Sequence, residues 1–150
     1  MTLEEFNKYF ANLTIRLQRE LATDIPKKVG NLAVRMFKDN FQKESFFGRA
    51  WKEVKRRLHP SGKHRAADTR AILTGPTGNL GRSVQFTVRD GSVIVHSDLP
   101  YSAAHKEGTT NAGRSHNVRI PQRQFIGESP ELTAAIEKKI TEEINKALKK

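Results

Sequence analysis

The sequence predicts an α+β fold: N-terminal helices and a C-terminal helix packed on a small antiparallel β-sheet, with long mobile loops between. The first forty residues and the last twenty carry apolar side chains at helical spacing, and the stretch 71–127 carries strand alternation and turn signals.

The N-terminal helix starts at Thr2 and Glu5, a capping box in which hydroxyl and carboxylate satisfy free amides of the first turn. Phe6, Phe10, Leu13, Leu17 and Leu21 then share one face. Asp24 is expected to cap a second helix, with Pro26 in its first turn. Val29, Leu32, Ala33, Met36, Phe37 and Phe41 continue the stripe. Gly30 either weakens this helix by about 1 kcal/mol relative to Ala or lets a neighbour pack closely.

Composition changes sharply after Phe46, Phe47 and Trp51. Arg49, Lys52, Lys55, Arg56, Arg57, Lys63, Arg65 and Arg70 face only Glu53 and Asp68 as acids over the same span. His59-Pro60-Ser61-Gly62 ends any helix there, so a long, mobile, basic loop is expected.

Ala71 to Thr74 is a short apolar run ended by Gly75-Pro76, and Thr77 to Arg82 is a turn or single helical turn. Val84, Phe86 and Val88 alternate with polar residues as in a half-buried strand. Asp90-Gly91 signals a tight hairpin turn, and Ser92 to Ser97 is the return strand. Tyr101 to Lys106 makes one short helix stopped by Gly108. Thr109 to Asn117 is small and polar, hence an expected flexible loop. Val118-Arg119-Ile120 and Gln124-Phe125-Ile126 are expected strands. Ser129 and Pro130 open the last helix, whose stripe is Leu132, Ile136, Ile140, Ile144 and Leu148. With no repeat or linker, residues 1–150 read as a single domain.

The chain has 27 Lys and Arg against 16 Asp and Glu, a formal net charge of +11 and a pI near 10.2. Such a balance favours acidic or polyanionic partners. Absence of Cys excludes disulfides and thiolate metal sites. No apolar run is long enough to span a membrane, and the acidic start lacks the pattern of a signal peptide, so a soluble protein made in the cytoplasm is expected.

The five His lie in separate segments without the paired spacing of a zinc site. There is no Gly-x-Ser-x-Gly elbow, and the glycine-rich Gly75–Gly81 stretch lacks the Lys-Ser/Thr ending of a phosphate loop. The expectation is therefore no cofactor, no metal and no enzymatic activity. Lys55, Arg56, Arg57, Lys63, Arg65 and Arg70, with Arg114 and Arg119 in the second loop, are candidate contacts to DNA or to an acidic partner. A merely solvated charged loop accounts for them equally well. No helix-turn-helix or zinc-finger spacing is present, so nucleic-acid binding by this chain is expected to be sequence-independent, and such a binding module is the alternative function.

The order of motifs carries a resemblance. Trp51 follows the helical region, then come Thr77-Gly78-Asn79-Leu80-Gly81-Arg82-Ser83, Tyr101-Ser102-Ala103-Ala104-His105-Lys106-Glu107-Gly108 and Arg123-Gln124-Phe125-Ile126-Gly127 before the last helix. This resembles the phage virion morphogenesis family, which includes tail-completion proteins of Mu-like and P2-like phages. Ser102, Gln124 and Ile126 depart from the family's usual Ala, Pro and Leu, and the usual Pro-Asp-Gly before the Trp is replaced by Phe47-Gly48-Arg49-Ala50. The resemblance implies that Trp51, Thr77, Gly78, Leu80, Ser83, Tyr101, His105, Gly108, Arg123, Phe125 and Gly127 are the structural motif residues. It also implies a tail-completion or neck protein that joins head to tail. Such a protein forms a ring, a hexamer, in the virion and meets tail-tube and head-connector proteins, with DNA in its lumen. In isolation it is monomeric; it is made in the host cytoplasm or encoded by a prophage.

Overall fold

Helix α1 (Leu3–Arg19) begins at the expected capping box. The Thr2 hydroxyl accepts from the Glu5 amide at 3.1 Å, and the Glu5 carboxylate accepts from the Thr2 amide at 2.6 Å. These bonds hold the Glu5 carboxyl below its ordinary range. The computed structural model describes residues 1–59, 69–75 and 77–150. Most of the basic loop, with Lys63 and Arg65, lies outside the described residues, as does Pro76.

Asp24 does not cap a new helix. The chain passes through one π turn, Glu20–Asp24, straight into α2 (Ile25–Lys43), and the Ile25 amide bonds the Glu20 carbonyl. Pro26 lacks an amide hydrogen and its ring crowds the preceding turn, and a widened turn relieves both problems without ending the helix.

After α2 a minimal hairpin, β1 (Ser45–Phe46) with β2 (Arg49–Ala50), pairs Ser45 with Ala50 and Phe46 with Arg49. Short helices α3 (Lys55–Leu58) and α4 (Asn79–Ser83) follow. Hairpin β3 (Gln85–Arg89) with β4 (Ser92–His96) turns at Asp90 and Gly91, both at positive φ (52° and 73°), as the Asp-Gly signal requires. Helix α5 (Ser102–Glu107) ends at Gly108, and α6 (Pro130–Lys149) closes the chain.

Two further expectations are corrected. Residues 109–117 are no flexible loop. Thr109–Ala112 forms β5, which pairs antiparallel with β6 (Val118–Ile120), in register at Thr109 with Ile120 and Ala112 with Val118 and irregular between. Small polar residues satisfy their backbone in a ladder as readily as in a coil when a partner strand is close. The segment 124–126 is not a strand, because the Gln124 carbonyl accepts from the Trp51 indole at 2.7 Å instead of from a neighbouring strand. Residues 71–74 form a turn, with Leu73 at φ 62°. The fold is α+β as expected, but its strands form three two-stranded antiparallel sheets and not one.

By contacts the chain falls into two compact units: Met1–Ala33 with Phe86–Ile94 and Pro130–Lys150, and Val34–Gln85 with Val95–Ser129. In the first, α1 lies against α6, and Ile25, Val29, Ala33, Leu132 and Ala147 are buried. Glu143 sits with them, its side chain 4% exposed, bonded by Lys28 at 2.5 Å and by Lys139 and Lys146 at 3.1 Å. Hydrogen bonds from Lys28, Lys139 and Lys146 lower its pKa from 4.5 to about 2. A carboxyl held low in the folded state stabilises above the unfolded value and loses that contribution as pH falls through the folded one. Acid titration of unfolding is therefore expected to show a stability loss below 4.5 that continues toward about 2. Glu143→Gln should flatten that part of the profile; an unchanged profile would show that the lysines do not hold the group down.

Gly30 is buried in this unit with the Phe86 ring against it, so a Cβ there would fall inside the ring's envelope. Of the two roles open to Gly30, close packing is the one the structure uses. Gly30→Ala gains about 1 kcal/mol of helix propensity but overpacks the contact at about 1–3 kcal/mol. The net expectation is a lower urea midpoint; a higher midpoint would show that Phe86 yields freely.

The stripe of α1 is amphipathic as predicted, yet no α1 residue is buried. Phe6, Phe10 and Leu21 are 50%, 58% and 50% exposed, and Phe6 and Phe10 stack at 6.2 Å.

The second unit holds an aromatic core. Phe41 meets Trp51 at 5.4 Å and Phe125 at 5.5 Å between ring centroids, while Phe37, Phe46 and Phe47 form a second group beside them in sequence. Val54, Ile72, Leu80 and Val84 complete the buried set. No helix among the described residues is long and apolar enough to cross a membrane.

Candidate functional site: a basic socket

The motif residues converge in the second unit and are mostly framework. Trp51 and Phe125 are core aromatics. Thr77 supplies a carbonyl that accepts from Arg82. Gly78, at φ 65°, caps α4 in the left-handed region that favours Gly, and Leu80 anchors that helix in the core. The Ser83 hydroxyl bonds the Leu80 carbonyl and the Ser97 hydroxyl, each at 2.6 Å. Gly127 lies in the bend before α6.

Tyr101, His105 and Arg123 do something else as well. The rings of Tyr101 and His105 meet edge to face at 6.1 Å, on the shared face that their spacing predicts. The His105 carbonyl accepts from the Arg123 amide at 2.8 Å, so α5 and the 121–125 segment are tied at this point. Arg123 is 7% exposed, and its guanidinium donates to the carbonyls of Lys52 at 2.7 Å and Glu53 at 3.2 Å. Of the carboxylate and carbonyl partners that the sequence allows Arg123, carbonyls are the ones seen. They satisfy its N–H groups but leave its charge in place.

Arg56 adds a second charge. Its guanidinium bonds the carbonyls of Arg70 at 2.7 Å and Ala71 at 3.0 Å. Arg56, Arg123, His105, Tyr101, Thr74 and Thr77 are among the residues lining one cavity of about 330 Å³, and among the described residues no Asp or Glu lines it. Burial first, and the charge of Arg56 second, push the Arg123 guanidinium below its ordinary range, with Glu53 opposing. Burial and then Arg123 push His105 down in the same way. The His105 Nδ1 is buried and has no partner among the described residues. A second cavity of about 550 Å³ shares Val54, His105 and Arg123 with the first; the rest of its wall is mixed, with Val118, Ile120 and Pro121 beside Lys52, Glu53, Lys55 and Arg119.

The candidate loop cations separate into different roles. Arg56 is used internally, as described. Arg57 pairs with Glu44 at 2.5 Å and Glu53 at 3.3 Å. The Arg70 carbonyl accepts from Arg56. Lys55, Arg114 and Arg119 are exposed.

Glu44 is a residue that sequence reasoning missed. Just past α2 at φ 51°, its carboxylate accepts from Arg57 and from the Ile72 amide at 2.9 Å, and its carbonyl accepts from the Trp51 amide at 2.9 Å. Burial pushes its carboxyl up, but the Ile72 and Arg57 bonds prevail and hold it below its ordinary range. Its place at a helix end, with Arg residues downstream, was the only available signal.

The chain matches the phage virion morphogenesis family over residues 3–149 and belongs to it. Its role is therefore in building the phage particle. Neither a curated protein nor a solved structure matches the chain.

Proposed function

We propose that the protein is a structural tail-completion or neck component that acts at the head-proximal end of the tail and joins tail to head as a ring of copies, a hexamer. Family membership across nearly the whole chain carries this reading. The exposed apolar face of α1 supports it, because an amphipathic helix that leaves Phe6 and Phe10 at least half exposed is suited to burying that face against a neighbour. Tail-tube and head-connector proteins, with further copies of the chain, are the partners. The net charge of +11 suits a lumen through which DNA passes, and Lys55, Arg114 and Arg119, being exposed, are free to meet it in this reading. Before assembly the chain is monomeric.

Deleting the gene from the phage tests this reading. Filled heads and finished tails that fail to join are expected in the lysate by electron microscopy. A normal yield of infectious particles would sink it.

A further inference from the structure

We propose that the cavity between Arg56, His105 and Arg123 is a socket for a carboxylate carried by an acidic polypeptide partner, with a neighbouring apolar side chain of that partner in the adjoining cavity against Val118, Ile120 and Pro121. The inference rests on the cavities alone and holds wherever in the virion the protein sits.

Two arginines and a histidine line a space with no acid in its wall among the described residues. Both guanidiniums are already oriented by backbone carbonyls, Arg56 by those of Arg70 and Ala71 and Arg123 by those of Lys52 and Glu53. Little ordering is then left for a ligand to impose, and charge-assisted bonds from Arg to a carboxylate are the strong kind. Burying the Arg123 charge is costly, Glu53 offsets only part of that cost, and an arriving anion relieves more of it. Glu53, in the wall of the second cavity, is engaged by Arg57 at 3.3 Å and by the Val54 amide at 2.8 Å.

The choice of a polypeptide over nucleic acid follows from shape. Arg123 is only 7% exposed, and the phosphates of a duplex lie on a broad surface that reaches exposed cations and not recessed ones. A carboxylate on a side chain or at a chain end enters a recess. Val118, Ile120 and Pro121 give that mixed wall an apolar patch, which fits an aliphatic side chain next to an acidic one, and a sugar-phosphate backbone carries no such side chain.

The test uses the full chain, isotope-labelled, and a blocked Leu-Glu-Leu peptide as probe. NMR reads the side-chain N–H signals of Arg56 and Arg123 and the ring signals of His105. All three should shift on titration, and the matching Leu-Gln-Leu peptide should bind at least about tenfold more weakly, because it lacks the charge-assisted bonds. Arg56→Lys keeps the charge but loses the planar fork, so its peptide affinity should fall severalfold while its backbone spectrum stays folded. Equal binding of the Gln peptide would overturn the proposal. So would displacement of the Glu peptide from these signals by a short DNA duplex or inorganic phosphate at lower concentration. A rise in peptide affinity in Asp68→Asn would assign the socket to the chain's own carboxylate and overturn it too.

Discussion

Phe125→Ala will cost the protein about 3–5 kcal/mol, the range for emptying a fully buried aromatic site. Phe125 is 1% exposed and is one of the largest side chains that the fold buries completely. Its ring sits 5.5 Å from that of Phe41, which sits 5.4 Å from that of Trp51. One truncation therefore opens a space against the Phe41 ring, which packs on Trp51, and next in sequence to Gln124, whose carbonyl accepts from the Trp51 indole at 2.7 Å. A domain of this size is stable by roughly 5–15 kcal/mol in total, so the variant should be substantially unfolded on warming. Trp51 is the only tryptophan in the chain, so its fluorescence reports this site directly: urea midpoint and emission wavelength should move together. Phe125→Leu, which keeps most of the volume, should cost clearly less. A loss below about 1 kcal/mol for the Ala variant would mean that the cluster is not the core of its unit.

Gly108→Ala is expected to cost about 2–4 kcal/mol, from backbone strain together with a clash. Gly108 ends α5 and opens β5 at φ 75° and ψ 161°, a conformation that L side chains rarely adopt. An added Cβ would also lie 2.8 Å from the Gln122 amide nitrogen and 3.1 Å from the Ile120 carbonyl oxygen. Both atoms are backbone and hold β6 and the following turn, so neither can swing aside. Strain and clash would be relieved together by unseating β5 from β6. Urea denaturation should show the loss, and hydrogen exchange should show weakened protection at Thr109 and Ile120, the paired residues nearest the glycine. Unchanged stability and protection would show that this corner has slack.

Signals that depend on neighbours in sequence were legible. The Thr2–Glu5 box, the Asp90-Gly91 turn, the stop at Gly108 and the start of α6 at Pro130 each involve a few consecutive residues, and each stands where expected. Signals that depend on distant partners were not. Asp24 has the chemistry of a cap, but whether a helix ends before Pro26 or widens past it is decided by packing along Ile25, Val29 and Ala33. Thr109–Ala112 is polar enough for a loop and becomes a strand only because Val118–Ile120 comes back beside it. Gln124–Ile126 has strand composition, yet its carbonyl goes to an indole seventy-three residues away in sequence.

At the site, the motif order located the right segments. It did not reveal that Arg56 and Arg123 would share one cavity or that Glu44 would take Arg57, since both arrangements bring together residues far apart in the chain. For α1 the periodicity was legible and the burial was not. A pattern of apolar residues states that a face wants cover without naming what covers it.

That uncovered face, on a chain of net charge +11, gives ionic strength a definite sign. Copies of the chain repel one another through their like charge, while in the proposed assembly Phe6, Phe10 and their neighbours would draw them together. Added electrolyte shortens the reach of the repulsion and leaves the apolar attraction intact or stronger. Contacts proposed through α1 are therefore expected to tighten in the brine that would strip a basic protein from a polyanion, so the two kinds of association proposed for this chain should respond to salt in opposite directions.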